Sequence, residues 1–587
     1  MQGLLYGPWD LNAPESDGRE RSGNNCVLRA DALYCKVLSM DTPLYVPTIG
    51  PAATGQTAAA PTQISRPIAR TILGAAILLG VDGDVLLRDQ PAGLGVGLWI
   101  AAVVLSAVAL LWRSERSVSR ETAAWLGTAT VFAFFFALRN SGTLLFFDFW
   151  TTIACLGMAA VAASDAQAGL LARRLRDTVA AGLTVIGSVI VGIVPLALRE
   201  FFATGEPKKS SARVIPFARA AIISVALLVV FGALLVSADP IFASLVALPD
   251  LDFDTIASHV FLIGFFAWIV GGWSRALVST RALRSAAPRK LPFELGMLDV
   301  SAALGTLNAL FAAFVLAQLG WFFGGEKFLQ ARTGLTAATY ARQGFFQLVW
   351  VVTLVVPVLM ATRATLQPGR ELARRHTLLS LPIIGLLGAI IVSATLRMKM
   401  YVHFYGLTTD RLYPLVFMGW LAIVLVWLAF TVLRDWARPF VAGAVVSGIA
   451  ILATLNFFDP DLFVARVNVQ RASHVSATTQ PSLDVAHLAR LRGRAVDLAM
   501  KAVLTAPVGS TGSPLRAADD EQRCAAARQL LRQWGPTSAA KVRHSNDGSW
   551  RFWNADDVAA LRAVGPHTSD LIRVQHATCK TPEHDSH

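Results

Sequence analysis

LYPLVFMGWLAIVLVWLAFTVL, residues 412–433, holds no charged side chain in 22 positions. As an α-helix it reaches about 33 Å, enough to cross a hydrocarbon core of about 30 Å. A surface helix of a water-soluble protein keeps a polar face, and this stretch has none, so it reads as a membrane span. Eleven similar runs precede or follow it: about 68–87, 93–112, 122–139, 142–163, 178–199, 220–237, 258–278, 298–324, 343–361, 377–396 and 436–457. The first carries Asp82 and Asp84 in GVDGDVLL and so reads equally as a short or re-entrant segment. The fold expected is all-α, a polytopic transmembrane helical bundle of about 12 helices (11–13) at residues 66–457.

Composition agrees. The 587 residues are 54% hydrophobic and 16% charged, against about 25% charged in soluble chains. Residues 1–65 are rich in Gly, Pro, Ser, Thr and Ala, show no helical period and carry no secretory signal, so they are expected to be a disordered tail. Met40 opens a second reading, in which the chain starts there. Residues 458–587 turn polar, with helical patterns at about 484–505, 517–534 and 554–564, and form a small, mostly helical soluble segment. Asn554 is placed to cap the last of these.

The net charge of +13 fits loops against anionic headgroups, and no segment offers a basic surface interleaved with aromatics, so nucleic acid is not an expected partner. Orientation follows from Lys and Arg in the breaks. From the fifth break onward, alternate breaks carry 16 against 6, and the break with Asp239, Asp250, Asp252 and Asp254 carries none. That places the acidic break and the C-terminal segment outside. Arg113, Arg116 and Arg120, with Arg173, Arg174 and Arg176, then fall on the wrong side, and no twelve-helix parity accommodates every loop. In the preferred orientation the acidic break shares a face with Lys327, Arg332, Arg397, Lys399 and Arg411, and at least one ion pair or hydrogen-bonded contact between them is expected.

Three strings, TGLTAATYARQGFFQLVWVVTLVVPVL (Thr333–Leu359), LRMKMYVHFYGLTTDRLYPLVFMGWLA (Leu396–Ala422) and NFFDPDLFVARVNVQRA (Asn456–Ala472), resemble the bacterial membrane family called domain of unknown function 4173. SADPIF (Ser237–Phe242) and RFWNADDVAALRA near the C-terminus resemble it as well. The resemblance implies the polytopic architecture; that family has no established activity, so no mechanism follows from it.

HExxH, GxSxG, Walker A and GxGxxG patterns are absent, the five cysteines form no CxxC, and the C-terminal histidines show no i, i+4 pair, so no metal or cofactor is expected. The candidate binding residues are polar groups in or beside the runs, where an unpartnered charge is costly. Asp299 begins the eighth run with Asn308 and Gln318 deeper, which reads as an ion site or as a helix-start carboxylate. Tyr340, Gln343 and Gln347 share one face with Arg342 nearby, either a headgroup site or an interfacial anchor. Arg397, Tyr401 and Tyr405 recur every four residues, and with Arg411 they form either an anion-binding stripe or a rigid elbow, with Gly406 as helix stop. Cys524 and Cys579 are either a disulfide of an outer domain or two lone thiols.

The function expected is that of a non-catalytic envelope protein of the bacterial cell membrane, conducting or sensing a small solute or lipid. Membrane lipids, a small-molecule or lipid ligand, and a protein bound through the C-terminal segment are the partners. An enzyme of lipid-linked sugars using Asp82 or Asp84, and a scaffold without ligand, are the rival readings.

Overall fold

The computed structural model describes residues 25–29, 32–36, 64–88, 92–164, 175–196, 253–279, 296–333, 345–366, 369–433, 437–473, 483–505, 514–536 and 550–579, with isolated positions between 224 and 235. Two units are separate. In the first, Met1–Ala60, strands β1 (Asn25–Arg29) and β2 (Ala32–Lys36) pair antiparallel, with Val27 opposite Tyr34. This hairpin lies inside the tail expected to lack order; its five-residue strands are invisible to a search for helical period.

The second unit is an all-α, multi-pass membrane protein. Its helices are α1 (Arg66–Leu87), α2 (Leu94–Arg113), α3 (Arg120–Leu138), α4 (Gly142–Ser164), α5 (Leu175–Val191), α6 (Phe253–Val278), α7 (Met297–Thr333), α8 (Phe345–Thr365), α9 (Arg370–Tyr405), α10 (Thr409–Leu433) and α11 (Ala437–Phe458). Eight of the described helices are long and apolar enough to cross a membrane. Leu78, Phe261, Leu310, Trp350 and Val426 point outward, as side chains facing lipid tails do. The expected run at 220–237 lies outside the described residues apart from isolated positions.

Two apolar cores divide the bundle. One, around Val103, Leu126, Ala159 and Trp273, joins α1 to α6; the other, around Leu304, Val352, Leu387 and Leu425, joins α7 to α11. They meet where α11 lies along α3 and α4, with Phe135 edge-on to Phe457 at 5.2 Å.

One cluster settles which ends share a face. Ile72, Leu110, Val278 and Leu196 pack together, so the start of α1 and the ends of α2 and α6 lie on one side of the membrane. Leu196 is there too. The fifth run, expected to span, therefore does not: α4 ends on this side, and the chain beyond α5 is still on it. With 17 residues, α5 is also shorter than a span of about 20. This correction removes the parity conflict. Arg66, Arg70, Arg113, Arg116, Arg120, Arg275, Arg363, Arg370, Arg374 and Arg375 now stand at one face, and by the positive-inside rule it is the cytoplasmic one. Phe253 begins α6 at the opposite face.

The C-terminal segment sits on the outer face. Beyond α12 (Pro460–Ser473), helices α13 (Ala495–Thr505), α14 (Pro514–Trp534), α15 (Ala555–Val564) and α16 (Thr568–Thr578) enclose a core of Val496, Met500, Ala527, Leu530, Val564 and Leu571. A second cluster, Leu407, Leu412, Val464, Leu488 and Leu491, fastens it to α10 and α12. Cys524 of α14 is bonded to Cys579 after α16, 55 residues away, which fits an oxidising compartment and the orientation read from charge.

A loop of that length contributes about 4 kcal/mol through the entropy of the unfolded chain. Cys524→Ser is therefore expected to loosen α16 and lower the outer domain's unfolding free energy by about 3 kcal/mol or more. In intact cells a membrane-impermeant maleimide should label these cysteines only after an impermeant reductant has been added; labelling without reductant would show two free thiols and rule the disulfide out, and no labelling even after reduction would place the tail on the inner side.

Candidate functional site

Short polar turns at the outer face leave helix ends whose last carbonyls need donors. Arg139, directly after α3, meets several of these needs at once. Its side chain is nearly buried, and Nε donates to the Asn456 carbonyl at 2.6 Å while Nη2 donates to the Phe457 carbonyl at 3.4 Å. Nη1 reaches the carboxylates of Asp459 at 2.9 Å and Asp556 at 3.2 Å. One guanidinium thus holds the end of α11, the turn into α12 and the start of α15. Arginine suits this because its planar fork presents five donors in fixed directions.

Local sequence explains each partner. In the string FFDPD, Asp459 takes a left-handed backbone (φ 60°) and its Oδ1 accepts from the Leu462 N–H at 3.1 Å, so it caps α12, with Pro460 in the first turn where no N–H is needed. Its Oδ2 also accepts from Arg494 Nε at 3.1 Å. In the string WNADD, Asn554 caps α15 as expected, accepting from the Asp556 N–H at 2.9 Å. Its Nδ2 then donates backwards to the carbonyls of Phe136 at 2.8 Å and Arg139 at 3.0 Å. A single amide therefore caps the start of one helix and the end of another. Asn140 completes the junction, its N–H on Asp556 at 3.1 Å and its Nδ2 on Asp557 at 2.7 Å. Gly493, with φ 60°, lies so close to the Asp556 carboxylate that a side chain there would collide with it.

Carboxylates outnumber guanidinium groups at this junction, and the imbalance shows in their titration. Burial first, then the neighbouring charges of Asp459 and Asp556, push Asp461 up to about 6. Burial also raises Asp556 and Asp557 above the usual carboxylate range.

The residues singled out from sequence are placed as follows. Asp299 is exposed and accepts from the Gly296 N–H at 3.1 Å, the helix-start role. Asn308 donates to the carbonyls of Leu304 at 3.0 Å and Leu379 at 2.9 Å, tying α7 to α9, and Ser393 donates to Gln318. Gln347 is exposed; Tyr340, Arg342 and Gln343 lie outside the described residues. The rings of Tyr401 and Tyr405 lie tilted to one another with centroids 4.9 Å apart, and the Arg411 guanidinium lies 4.3 Å over Tyr401 and donates to the Tyr405 and Gly406 carbonyls. Gly406 takes φ 78°, and Asn468 exchanges two hydrogen bonds with the backbone of Leu407. This is the geometry of an elbow with its groups engaged internally; Arg397 is buried just before it.

Asp239, Asp250 and Asp252 lie outside the described residues, and Asp254 begins α6 at the outer face. The ion pairs described at that face centre instead on Arg139, with a second set at Asp84, which is buried between Arg88 and His259. Asp84 is thereby engaged, not presented to a lipid-open cleft. A cavity of about 360 Å³ between α9 and α10 is lined by apolar residues, among them Ile384, Ile391, Leu425 and Phe430.

Sequence reading passed over Arg139, Asp148 and Asn456. The available signal was Asp148, an aspartate inside an apolar run, and it is fully buried against Asn456.

A family model described as "Domain of unknown function (DUF4153)" matches residues 100–501. The resemblance noted from sequence strings named domain of unknown function 4173, which is not the one matched; the kind of family holds and the number does not. No curated protein and no protein of solved structure matches the chain. Arg139, Asp148, Asn456 and Asp459 lie inside the matched residues, whereas Asn554 and Asp556 lie beyond them.

Removing one partner from a buried ion pair costs about 3–5 kcal/mol, because the other charge is left buried. Arg139→Met is expected to lower unfolding free energy in detergent by that order, with Arg139→Lys restoring only part; a loss under about 1 kcal/mol for Arg139→Met would contradict the role assigned. Asp461 gives a pH signature. Its folded value, about 6, exceeds the unfolded 3.8, so between the two the folded state holds a proton that the unfolded state releases. Stability should therefore rise as pH falls from about 6 to about 4, by up to about 3 kcal/mol, and Asp461→Asn should flatten that slope.

Proposed function

The chain belongs to the family defined by the domain of unknown function DUF4153, and from that premise and the geometry of its outer junction we propose that it is a non-catalytic sensor of the bacterial cell envelope. In this reading the outer domain meets a small solute, a lipid or a protein partner, and the bundle carries the result across the membrane. The observation that supports it is the Arg139 junction, where a guanidinium just after α3 is shared by backbone carbonyls at the end of α11 and by the carboxylates of Asp459, before α12, and Asp556, in the first turn of α15. A displacement of the outer domain alters the partners of two transmembrane helices at once, which is what coupling between a binding surface and a bundle requires.

Conduction has less support. Among the described polar groups within the bundle, Asn308, Gln318, Ser393, Thr362 and His376 are engaged between helices, His376 sharing a 3.0 Å hydrogen bond with Thr362. The apolar cavity between α9 and α10 suits a lipid tail, so membrane lipids are the nearest ligands. Of the two candidate bases for a lipid-linked-sugar enzyme, Asp84 is paired with Arg88 and His259, while Asp82 is half-buried beside it.

The test joins two measurements on protein in lipid nanodiscs. Mass spectrometry of retained ligands is expected to find a bound lipid or small solute, and hydrogen exchange at the cytoplasmic ends of α2 and α9 is expected to change when that ligand is removed. Asp556→Ala should abolish the change. Solute flux through reconstituted protein would establish a conductor, and turnover of a lipid-linked sugar an enzyme.

A further inference from the structure

Beside the Arg139 junction, on the seam between the two helical cores, lie Asp148 of α4 and Asn456 of α11. Both are 0% exposed. Asn456 Nδ2 donates to Asp148 Oδ1 at 2.8 Å and to the Leu452 carbonyl at 3.1 Å, which uses both amide hydrogens. The amide is not reversible, because its oxygen would then face two acceptors. Two oxygens are left without a donor, Asp148 Oδ2 and Asn456 Oδ1.

Among the described residues, none donates a hydrogen bond to either of these two oxygens. Arg139 is committed to two carbonyls and to Asp459 and Asp556. On α10, Tyr413 shares its hydroxyl with Ser141 at 3.1 Å, and the charges it feels are those of Asp148, Asp461 and Asp410, all acidic. Thr152 turns its hydroxyl to the Asp148 backbone carbonyl. An ionised carboxylate at Asp148 would thus be dehydrated and left with one hydrogen bond, a costly arrangement in a protein.

A single proton answers both orphan oxygens. A protonated carboxyl gains one O–H donor, and with it on Oδ2 the acid donates to Asn456 Oδ1 while its Oδ1 keeps the bond from Nδ2. We propose that Asp148 and Asn456 form a proton-binding site on the seam between the helical cores: the carboxylate takes one proton from the outer face, becomes the neutral acid and closes a cyclic acid–amide pair that joins α4 to α11. No electron moves and no other bond breaks. That the bound proton is the signal perceived rests on the sensing reading above; the site itself does not. Release of the proton sets two acceptor oxygens against each other across the seam, so occupancy governs how firmly the two cores are joined next to the turn that holds the outer domain.

The test is infrared difference spectroscopy of the full chain in nanodiscs of phosphatidylglycerol and phosphatidylethanolamine, comparing the wild type with Asp148→Asn. At pH about 6, roughly two units above the value of an aspartate in water, the wild type should show a protonated-carboxyl band that Asp148→Asn lacks. Asp148→Asn should fold, since its amide reproduces both hydrogen bonds. Asn456→Ala should shift the band without abolishing it. No difference between wild type and Asp148→Asn at that pH would overturn the proposal. Stabilisation of the wild type by sodium or potassium, absent in Asp148→Asn and accompanied by no acid band, would overturn it too and assign the oxygens to a metal cation. Should the band be present while hydrogen exchange at the cytoplasmic ends of α2 and α9 ignores pH, the proton site stands and the sensing reading falls.

Discussion

The buried guanidinium of Arg139 is the constraint around which the outer half of this protein is arranged. Five acidic groups crowd the space within the outer helix ends, and burying carboxylates without cations or donors is prohibitive. Arg139 serves Asp459 and Asp556 directly and, through two backbone carbonyls, fixes the end of α11. The three bodies that meet there have separate apolar cores, one in α1–α6, one in α7–α11 and one in the outer domain. Dispersion and hydrophobic burial hold each body together without direction; the directional hydrogen bonds at Arg139 set how they join. Buried ion pairs of this sort contribute little net stability relative to an apolar replacement and more to the choice of one arrangement.

How much of this was legible in the sequence depended on range. Run length and apolarity are local, so α2, α4, α10 and α11 stand close to where they are expected. Asn554 could be read as a cap, because capping depends on the next three residues. The fifth run could not be read as failing to span: its composition is that of a span, and what identifies it is the contact of Leu196 with Ile72, Leu110 and Val278, from three distant helices. The parity conflict among the arginines was a visible symptom of that misreading. The tyrosine stripe at Tyr401 and Tyr405 is legible from its spacing of four, whereas the inward turn of Arg411 and Asn468 to the backbone of the elbow depends on contacts that spacing does not carry. Arg139 carries no periodic signature, and its partners lie more than 300 residues away in sequence. Only the oddity of an aspartate within FFDFW pointed towards the place.

Orientation and function follow from the same geometry. Basic helix ends collect on one face, while the disulfide between Cys524 and Cys579 and the acidic junction occupy the other, and two independent principles, charge retention and redox compartment, then assign the same outer side. An outer domain bolted to transmembrane helix ends through titratable groups is the arrangement on which the proposed sensing role rests.

The claim on which the rest stands is that Arg139 energetically couples the outer domain to the membrane bundle. A double-mutant cycle measures it most directly: unfolding free energies in detergent for wild type, Arg139→Gln, Asp556→Asn and the double variant. The account predicts an interaction energy of about 1–3 kcal/mol, with the double variant losing far less than the two single losses combined. Additivity to within about 0.5 kcal/mol would contradict it, and would leave the outer domain held by apolar contact alone.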